Sequence, residues 1–422
     1  MDEPALYRTF LFGTAGLCLF LGLVLGASAL AALGVAILFL LARAHRAARK
    51  RLRHLRVRRE MESSAFEDEE VRVVLVLENH GPEAVPLVDV VDAFGPAHAD
   101  RQALLDPGPL GGGRRRRLAY RTACSRLWGV YTVGPLSLGV SDPLGLFSPR
   151  RSVPEIEPFD VFPRVHPVSL ERLGSRASFA PSDPTAARAG QSAAYLGVRD
   201  FRSGDDVRRV HWPATARRGF PMVKEFEVDL TPYFTLFLDL ERDHRAGTGL
   251  KSTFEYVVRT AACLLASAAR RGDLVQAFGE PARPLLVPPG RGELHLAHAL
   301  DQLIRVRQDG AIPLLDVVER QLASLPVGST AALLSATVFL ELERLAELMA
   351  WMRARGVRPV LVAVDKDSFL PIDVRPRPRA DVAARCQQLV AVALGQEGRV
   401  AVLSSSEDLE TELVRADWLA AS

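Results

Sequence analysis

The sequence predicts an α/β chain with three structural parts: an N-terminal transmembrane hairpin, a small antiparallel β-sandwich domain and a C-terminal doubly wound parallel sheet. Three observations lead to this prediction. An uncharged run extends from Thr9 to Leu41. Short extended segments separated by turn residues fill residues 71–165. From residue 231 to 422, apolar strands alternate with amphipathic helices.

Composition sets the first limits on function. The chain has 422 residues, more than one typical domain, and its 53 Lys and Arg nearly balance its 50 Asp and Glu. This balance gives no general reason to expect nucleic-acid binding. The four cysteines lack a CxxC pair or metal-ligand spacing, which argues against a disulfide scaffold and a zinc site. They are Cys18, Cys124, Cys263 and Cys386.

The apolar N-terminus, residues 1–43, is predicted to enter a membrane. Its uncharged run is much longer than the roughly 7 to 15 apolar residues of a cleavable signal peptide. One long tilted helix or two short helices would fit this length. We favour the hairpin, because the small residues Gly26–Ser28 lie at its midpoint.

A basic juxtamembrane segment, residues 44–70, follows the hairpin. By the positive-inside rule its excess of arginine places the soluble domains in the cytoplasm, attached to the inner membrane. Beside a bilayer, anionic lipid headgroups are the expected phosphate partner rather than nucleic acid. The basic residues that begin at the end of the hairpin are Arg43, Arg46, Arg49, Lys50, Arg51, Arg53, Arg56, Arg58 and Arg59.

Residues 71–165 are predicted to form the β-sandwich-like domain, with immunoglobulin-like topology and a spacing or docking role. Val71–Glu78 is an extended apolar run that ends at the turn residues 79–82. Trp128–Tyr131 and Ser141–Phe147 have the composition of hairpins and corners. Further extended runs are Pro86–Val91, Arg117–Arg121 and Val130–Val140.

A Ser-, Ala-, Pro- and Gly-rich linker, residues 166–194, leads to a charged motif at 195–230. The motif has three interpretations: a structural brace or partner-docking surface, an anion site, or a metal site. Asp205, Asp206 and His211 have suitable ligand types for a cation, but neighbouring arginines would repel it. The candidate binding residues are Arg199, Gly204, Asp205, Asp206, Arg208, Trp212, Arg217 and Lys224.

The remaining residues, 231–422, are predicted to form the doubly wound sheet. Tyr233–Leu240 is an apolar strand, and a helix capped by Ser252 or Thr253 runs to Gly272. Further predicted strands are Leu274–Phe278, Ala331–Ser335, Pro359–Val364 and Val400–Leu403. Further predicted helices are Leu294–Arg305, Leu314–Ala323, Leu340–Arg355, Asp381–Leu394 and Asp408–Ala420.

The carboxyl end of the first of these strands carries Asp239, Glu241 and Asp243. Ligands of open α/β sheets bind at such ends. The three carboxylates would suit Mg²⁺ or Ca²⁺, although an acidic solvated loop in which backbone amides satisfy Asp239 explains the same pattern. Neither GxGxxG nor GxxxxGK[ST] is present, so no nucleotide cofactor is expected.

The run Arg199–Arg217, followed by Val223–Phe226, resembles the signature of the bacterial domain-of-unknown-function family 58. The hairpin, the Gly129–Tyr131 and Asp142–Phe147 elements and the strand ending at Asp239 follow in the order of that family. The resemblance implies a von Willebrand factor A-like domain, membrane attachment, a MoxR-type AAA+ ATPase as partner and no established enzymatic activity.

The sequence departs from metal-binding von Willebrand A domains, whose first strand is followed by Asp-x-Ser-x-Ser. Glu241 and Asp243 replace both serines, and Ser335–Thr337 occupies a strand end where those domains often place an aspartate. The expected function is therefore a membrane-anchored, non-enzymatic scaffold or adaptor without a cofactor. The alternative is a metal-dependent hydrolase that uses Asp205, Asp206 and His211, or Asp239.

Overall fold

The protein divides into two compact units, Met1–Arg164 and Val165–Ser422. The structure is a computed structural model. It describes residues 3–106, 108–142, 145–168, 193–201, 207, 210–228, 232–396, 398–405 and 409.

Two helices open the N-terminal unit: α1, Glu3–Val24, and α2, Ser28–His54. Both are long and apolar enough to cross a membrane. The chain reverses at Gly26, whose φ of 65° is a conformation that glycine adopts without strain. A Cβ on Gly22 would lie 2.5 Å from the backbone nitrogen of Ala31, so the two helices approach closely at this glycine. The predicted hairpin of two helices is confirmed.

The described residues of this unit form nine strands after the hairpin, several in the predicted positions. They are β1 (Leu55–Glu60), β2 (Ser64–Phe66), β3 (Glu70–Asn79), β4 (Leu87–Phe94), β5 (Arg101–Asp106), β6 (Arg115–Ala123), β7 (Gly129–Ser141), β8 (Arg150–Val153) and β9 (Glu157–Phe162).

The nine strands form two sheets with one shared core. One sheet has the order β1-β3-β6, and the other has the order β2-β9-β7-β4-β5 with β8 paired to β7. All of these pairings are antiparallel except β2 with β9. Buried side chains from both sheets, including Leu75, Val90 and Leu138, belong to the same apolar cluster. Alternation of buried and outward residues in β4 explains this arrangement.

The sequence placed Arg59 among the lipid-facing basic residues, and the structure corrects this assignment. Strand β1 begins directly after α2 and alternates, so Arg59 points into the unit with a fully buried side chain. Its Nε donates to Asp92 at 3.1 Å, and the Tyr120 hydroxyl donates to the same carboxylate at 2.7 Å. Residues 55–60 therefore belong to the β-rich part of the chain, which the sequence had begun at Val71.

The elements of the C-terminal unit alternate as predicted for an α/β fold. They are β10 (Ala193–Asp200), α3 (Trp212–Arg218), β11 (Met222–Val228), β12 (Tyr233–Leu238), β13 (Gly247–Thr248), β14 (Lys251–Ser252), α4 (Thr253–Arg271), β15 (Leu274–Gly279), β16 (Leu285–Gly290), α5 (Gly292–Leu303), α6 (Leu314–Gln321), β17 (Thr330–Ser335), α7 (Leu342–Ala354), β18 (Arg358–Val364), α8 (Arg379–Gly395) and β19 (Arg399–Leu403).

Six of these strands form one sheet with the order β16-β15-β12-β17-β18-β19. All neighbours are parallel except β16, which pairs antiparallel with β15 at the edge. Strand β16 was not predicted, because Pro288 and Pro289 weaken its strand pattern; an edge strand tolerates proline. The predicted helix Asp408–Ala420 and most of the 166–194 linker lie outside the described residues.

Helix α4 shows how the sequence fixes one layer against this sheet. The Ser252 hydroxyl accepts the Glu255 N–H at 3.2 Å, which caps the first turn, and Gly272 ends the helix in the left-handed region. Its apolar residues, including Val258 and Leu265, are fully buried. The predicted capped helix is confirmed.

Candidate functional site

The charged motif folds as an antiparallel hairpin of β10 and β11 with the short helix α3 in the connection. Asp200 pairs with Met222 in the register of the two strands. The N–H of Phe201 donates to the Pro221 carbonyl at 2.9 Å and extends the pairing. Residues 210 and 223 form a further antiparallel bridge. The motif is therefore a local unit that closes on itself.

Two polar side chains fix α3 against β11. The Nδ1 atom of His211 accepts the Ala214 N–H at 3.0 Å, and this bond caps the helix. The Thr215 hydroxyl accepts the Met222 N–H at 3.0 Å. The N–H of His211 donates to the Met222 carbonyl at 2.7 Å. His211 thus uses one ring nitrogen as a helix cap, which removes that nitrogen from the metal-ligand role the sequence allowed.

The motif presents apolar side chains to solvent on this fixed helix and beside it. Trp212 is 67% exposed, Val207 is 64% exposed and Phe220 is 44% exposed. Arg217 and Arg218 in the last turn of α3 are also exposed. We call Val207, Trp212, Arg217, Arg218 and Phe220 the Trp212 surface.

The exposure of the Trp212 surface does not come from a poorly packed motif. Val210, Met222 and Val223 of the same motif are all buried. Tryptophan and arginine are the residue types most enriched among side chains that dominate protein interfaces. An exposed tryptophan on a fixed backbone is suited to insertion into a partner.

A second cluster lies at the carboxyl ends of β12 and β17. The strand order reverses between these two strands, and open α/β sheets bind ligands at such a point. Asp239 follows β12 directly, and Ser335 ends β17. The N–H of Asp239 donates to the Leu334 carbonyl at 2.9 Å, so the two strand ends remain hydrogen-bonded beyond the sheet.

The carboxylate of Asp239 is buried and surrounded by donors. Its Oδ1 accepts the Glu241 N–H at 3.2 Å. Its Oδ2 accepts the Ala336 N–H at 3.0 Å and lies 2.8 Å from Nδ1 of His244. The Ser335 hydroxyl is 3.3 Å from Oδ2 but only 2.8 Å from the Thr337 carbonyl, which is the better acceptor for its single proton.

His244 donates a hydrogen bond to Asp239, and its surroundings favour the protonated imidazole. Burial lowers the pKa of this imidazole, but the hydrogen bond to Asp239 and the charges of Asp239 and Glu241 outweigh it, and the pKa is raised above its usual 6.5. Nδ1 also lies 3.7 Å from the Glu241 carboxylate. Because a carboxylate only accepts hydrogen bonds, Nδ1 carries the proton. The raised pKa favours the charged imidazolium.

Local turns bring His244 back to Asp239. A 3₁₀ turn over Arg242–His244 follows the strand end. Glu241 forms a bridge to Gly310, whose N–H donates to the Leu240 carbonyl at 2.9 Å. A Cβ on Gly310 would lie 2.4 Å from the Glu280 carbonyl oxygen, so only glycine fits this approach.

Both clusters lie within a segment that matches a known family. Residues 197–355 match Protein of unknown function DUF58. This match supports the resemblance drawn from the sequence motif, and we refer to residues 197–355 as the DUF58 segment. No curated protein matches the chain.

Solved structures show only partial similarity. The crystal structure of the CARDB domain of the PF1109 protein from Pyrococcus furiosus, in complex with di-metal ions, is 16% identical with a TM-score of 0.18. The match covers 26% of this chain and 91% of that domain. A β-glucosidase from Listeria innocua in complex with gluconolactone is 8% identical, with a TM-score of 0.17 and coverage of 25% of this chain and 16% of the enzyme. Similarity at this level carries no functional argument.

The cation site predicted in the DUF58 segment has a different composition in the structure. Asp239, Glu241 and His244 offer ligand atoms within 4.8 Å of one another. Asp243 is outside this group: its side chain is exposed, and its carbonyl accepts Lys366 Nζ at 2.7 Å. Sequence reasoning missed His244, because it followed alternate residues beyond the end of β12.

Mg²⁺ or Ca²⁺ does not fit this arrangement. These ions prefer six or more oxygen ligands, whereas the cluster offers two carboxylates and one imidazole. Both oxygens of Asp239 already accept hydrogen bonds, and the His244 proton lies where a cation would bind. No catalytic step through a metal ion follows from this site.

The other predicted residues of the DUF58 segment are described in part. Arg199 lies in β10, and its guanidinium donates to the Asp200 carbonyl at 3.0 Å. The backbone of Lys224 lies in β11. The predicted residues Gly204, Asp205, Asp206 and Arg208 lie outside the described residues.

Proposed function

We propose that this chain is a membrane-anchored, non-enzymatic adaptor that presents its DUF58 segment to a protein partner in the cytoplasm. The observation that carries the proposal is the Trp212 surface, on which a tryptophan that is 67% exposed stands on a hydrogen-bonded helix. A large aromatic side chain that becomes buried at the centre of an interface contributes much of the binding free energy.

The exposed apolar side chains of α1 and α2 support the membrane anchor. Phe10, Phe20, Leu23 and Phe39 are each more than 60% exposed. Such a surface is unfavourable in water and matches a bilayer interior. The arginines that follow the hairpin support a cytoplasmic location for everything after residue 43, with anionic headgroups as their contacts.

The sheet order supports a von Willebrand A-like arrangement of the C-terminal unit. The first strand, β12, is central, with β15 and the antiparallel β16 on one side and β17, β18 and β19 on the other. The partner that the family resemblance implies is a MoxR-type AAA+ ATPase. In this proposal the ATPase supplies the work and this chain supplies recognition at the membrane.

Metal-dependent hydrolysis remains the second candidate, and one observation favours it. The ligand atoms of Asp239, Glu241 and His244 converge within 4.8 Å. Against it, the proton on His244 Nδ1 and the N–H groups of Glu241 and Ala336 already bind both oxygens of the Asp239 carboxylate. A water-activating site needs an open position on the metal ion, which this hydrogen-bonded cluster does not provide.

Site-specific photo-crosslinking in cells tests the adaptor proposal. A photoreactive phenylalanine analogue replaces Phe220 of the Trp212 surface, which leaves Trp212 in place, and in a control chain it replaces Trp351, which is 37% exposed on α7. The proposal predicts a crosslink to the MoxR-type ATPase from position 220 and none from position 351. Equal crosslinking from both positions, or none from 220, would contradict it.

A further inference from the structure

The uncharged part of the hairpin is shorter than the hydrocarbon core of a bilayer. In α2 this part runs from Ser28 to Ala42. A helix rises about 1.5 Å per residue, so these residues cover roughly 21 Å. A typical hydrocarbon core measures about 30 Å. Thinning of the bilayer, or movement of the following residues towards it, compensates for such a difference.

Helix α2 has no break where the charged residues begin. It continues without interruption to His54. His45 is therefore held on the same axis, roughly 26 Å from Ser28. When the Gly26 turn reaches the far boundary of a bilayer that thins to the uncharged length of α2, His45 lies just beyond the near boundary, at the level of the headgroups.

The β-rich part of the N-terminal unit packs against α2 at this height. Ala48 and Leu52 are buried on one side of the helix, whereas Arg46 and Arg49 are exposed. The ring of His45 contacts the ring of Phe147, with centroids 5.1 Å apart. The connection between β7 and β8, which contains Phe147, is thereby held beside the membrane end of the helix.

Asp142 closes this connection into a tight loop. The Phe147 N–H donates to Asp142 Oδ1 at 2.7 Å, and the Asp142 N–H donates to the Phe147 carbonyl at 3.1 Å. Gly145 turns the chain with a φ of 67°. As a result Phe147 is buried against the unit, while Gly145 and Ser148 are exposed.

We infer that the loop Gly145–Ser148 lies in the headgroup layer of the membrane and has phospholipid as its partner. The short hairpin, the unbroken α2 and the His45–Phe147 contact together set this position. The turn at Glu83 stays further from the bilayer, because Glu83 forms ion pairs with Lys50 and Arg51, which follow His45 towards the C-terminal end of α2. The inference rests on the proposed membrane anchoring.

Depth-dependent fluorescence quenching on the full chain tests this position. A fluorophore is attached to Ser148→Cys in a background in which the partly exposed Cys18 and Cys386 are changed to alanine. The matched control is Ala99→Cys, an exposed residue between β4 and β5. Strand β4 runs from the end of the unit near residue 148 to the end near residue 99, and its seven residue steps correspond to about 24 Å.

Both proteins are reconstituted in phosphatidylcholine vesicles that contain a headgroup-spin-labelled lipid and have acyl chains of increasing length. The label at residue 148 is expected to lose most of its fluorescence, with the loss increasing as the bilayer thickens, while the label at residue 99 keeps its fluorescence. Equal fluorescence at both sites in a chain that resists alkaline extraction would overturn the loop position alone. Release of the chain by alkaline extraction would overturn the anchoring as well.

Discussion

The change Asp239→Asn tests whether the buried carboxylate joins the ends of β12 and β17. Asparagine has nearly the same shape but offers one acceptor oxygen and one amide group. The new amide NH₂ group would face the N–H of either Glu241 or Ala336, so one of these two hydrogen bonds is lost. The hydrogen bond with His244 loses the contribution of the carboxylate charge. With about 1 kcal/mol for the lost bond and about 2 kcal/mol for the lost charge, the expected cost is about 3 kcal/mol.

Native-state hydrogen exchange followed by mass spectrometry measures this cost locally, which suits a chain of two units better than one global melting curve. Peptides that contain β12 and β17 are expected to exchange roughly 100-fold faster in Asp239→Asn, since each 1.4 kcal/mol is a factor of ten. Asp243→Asn is the matched control, because its exposed side chain lies outside the cluster. Unchanged exchange in Asp239→Asn would refute the role assigned to this carboxylate.

Because folding raises the pKa of His244, its protonated form contributes stability that is complete below about pH 6.5 and is lost as the pH rises through the folded-state pKa. The protection of β12 against hydrogen exchange is therefore expected to fall above about pH 6.5 in the native chain and to stay level in His244→Gln. Calorimetric titration with Mg²⁺ or Ca²⁺ is expected to give no binding heat in the native chain, and a saturable heat that Asp239→Ala abolishes would contradict this. Arg59→Met leaves the buried Asp92 carboxylate without its cation and is expected to lower the stability by about 3 to 5 kcal/mol. Hydrogen exchange of peptides from β4 measures this loss. The control Arg58→Met, on the exposed side of β1, is expected to change the stability little. A reporter fused to the C-terminus is expected to be active only as a cytoplasmic fusion, and periplasmic activity would reverse the topology.

Patterns that depend on local sequence predicted much of the fold. The uncharged run divided at Gly26 forms two helices, and the apolar run Tyr233–Leu240 contains a strand of the parallel sheet, Tyr233–Leu238. These predictions succeed because length and periodicity are properties of the chain itself. Strand β16 shows the limit, because its prolines are tolerated only through an edge position that the sequence does not reveal.

Backbone geometry that the sequence pattern does not show explains where sequence reasoning about the sites failed. Arg59 belongs to a basic run, yet the pleat of β1 turns it towards Asp92, which is 33 residues away. At the sheet end, Asp239 was assigned partners at alternate positions, but a 3₁₀ turn brings His244 to it instead of Asp243. In both cases the backbone path after the motif determines the partner.

The sequence identified the motif, but it did not predict which of the motif's side chains are exposed. The mixture of charges around Trp212 allowed both a brace and a docking surface. The structure contains both kinds of residue: Thr215 and His211 brace α3, while Trp212 and Phe220 are exposed. Burial depends on what packs against a side chain, and the motif alone does not contain this information.

The adaptor role depends on the Trp212 surface, so the decisive measurement is the affinity of the purified full chain for the MoxR-type ATPase, compared among the native chain, Trp212→Ala and Trp351→Ala. Removal of a central interface tryptophan costs about 2 kcal/mol or more, so Trp212→Ala is expected to weaken binding at least about 30-fold. Trp351→Ala, which removes an exposed tryptophan stacked with Arg355 on α7, is expected to bind as the native chain does. Native affinity in Trp212→Ala, or no binding by the native chain, would contradict the adaptor account.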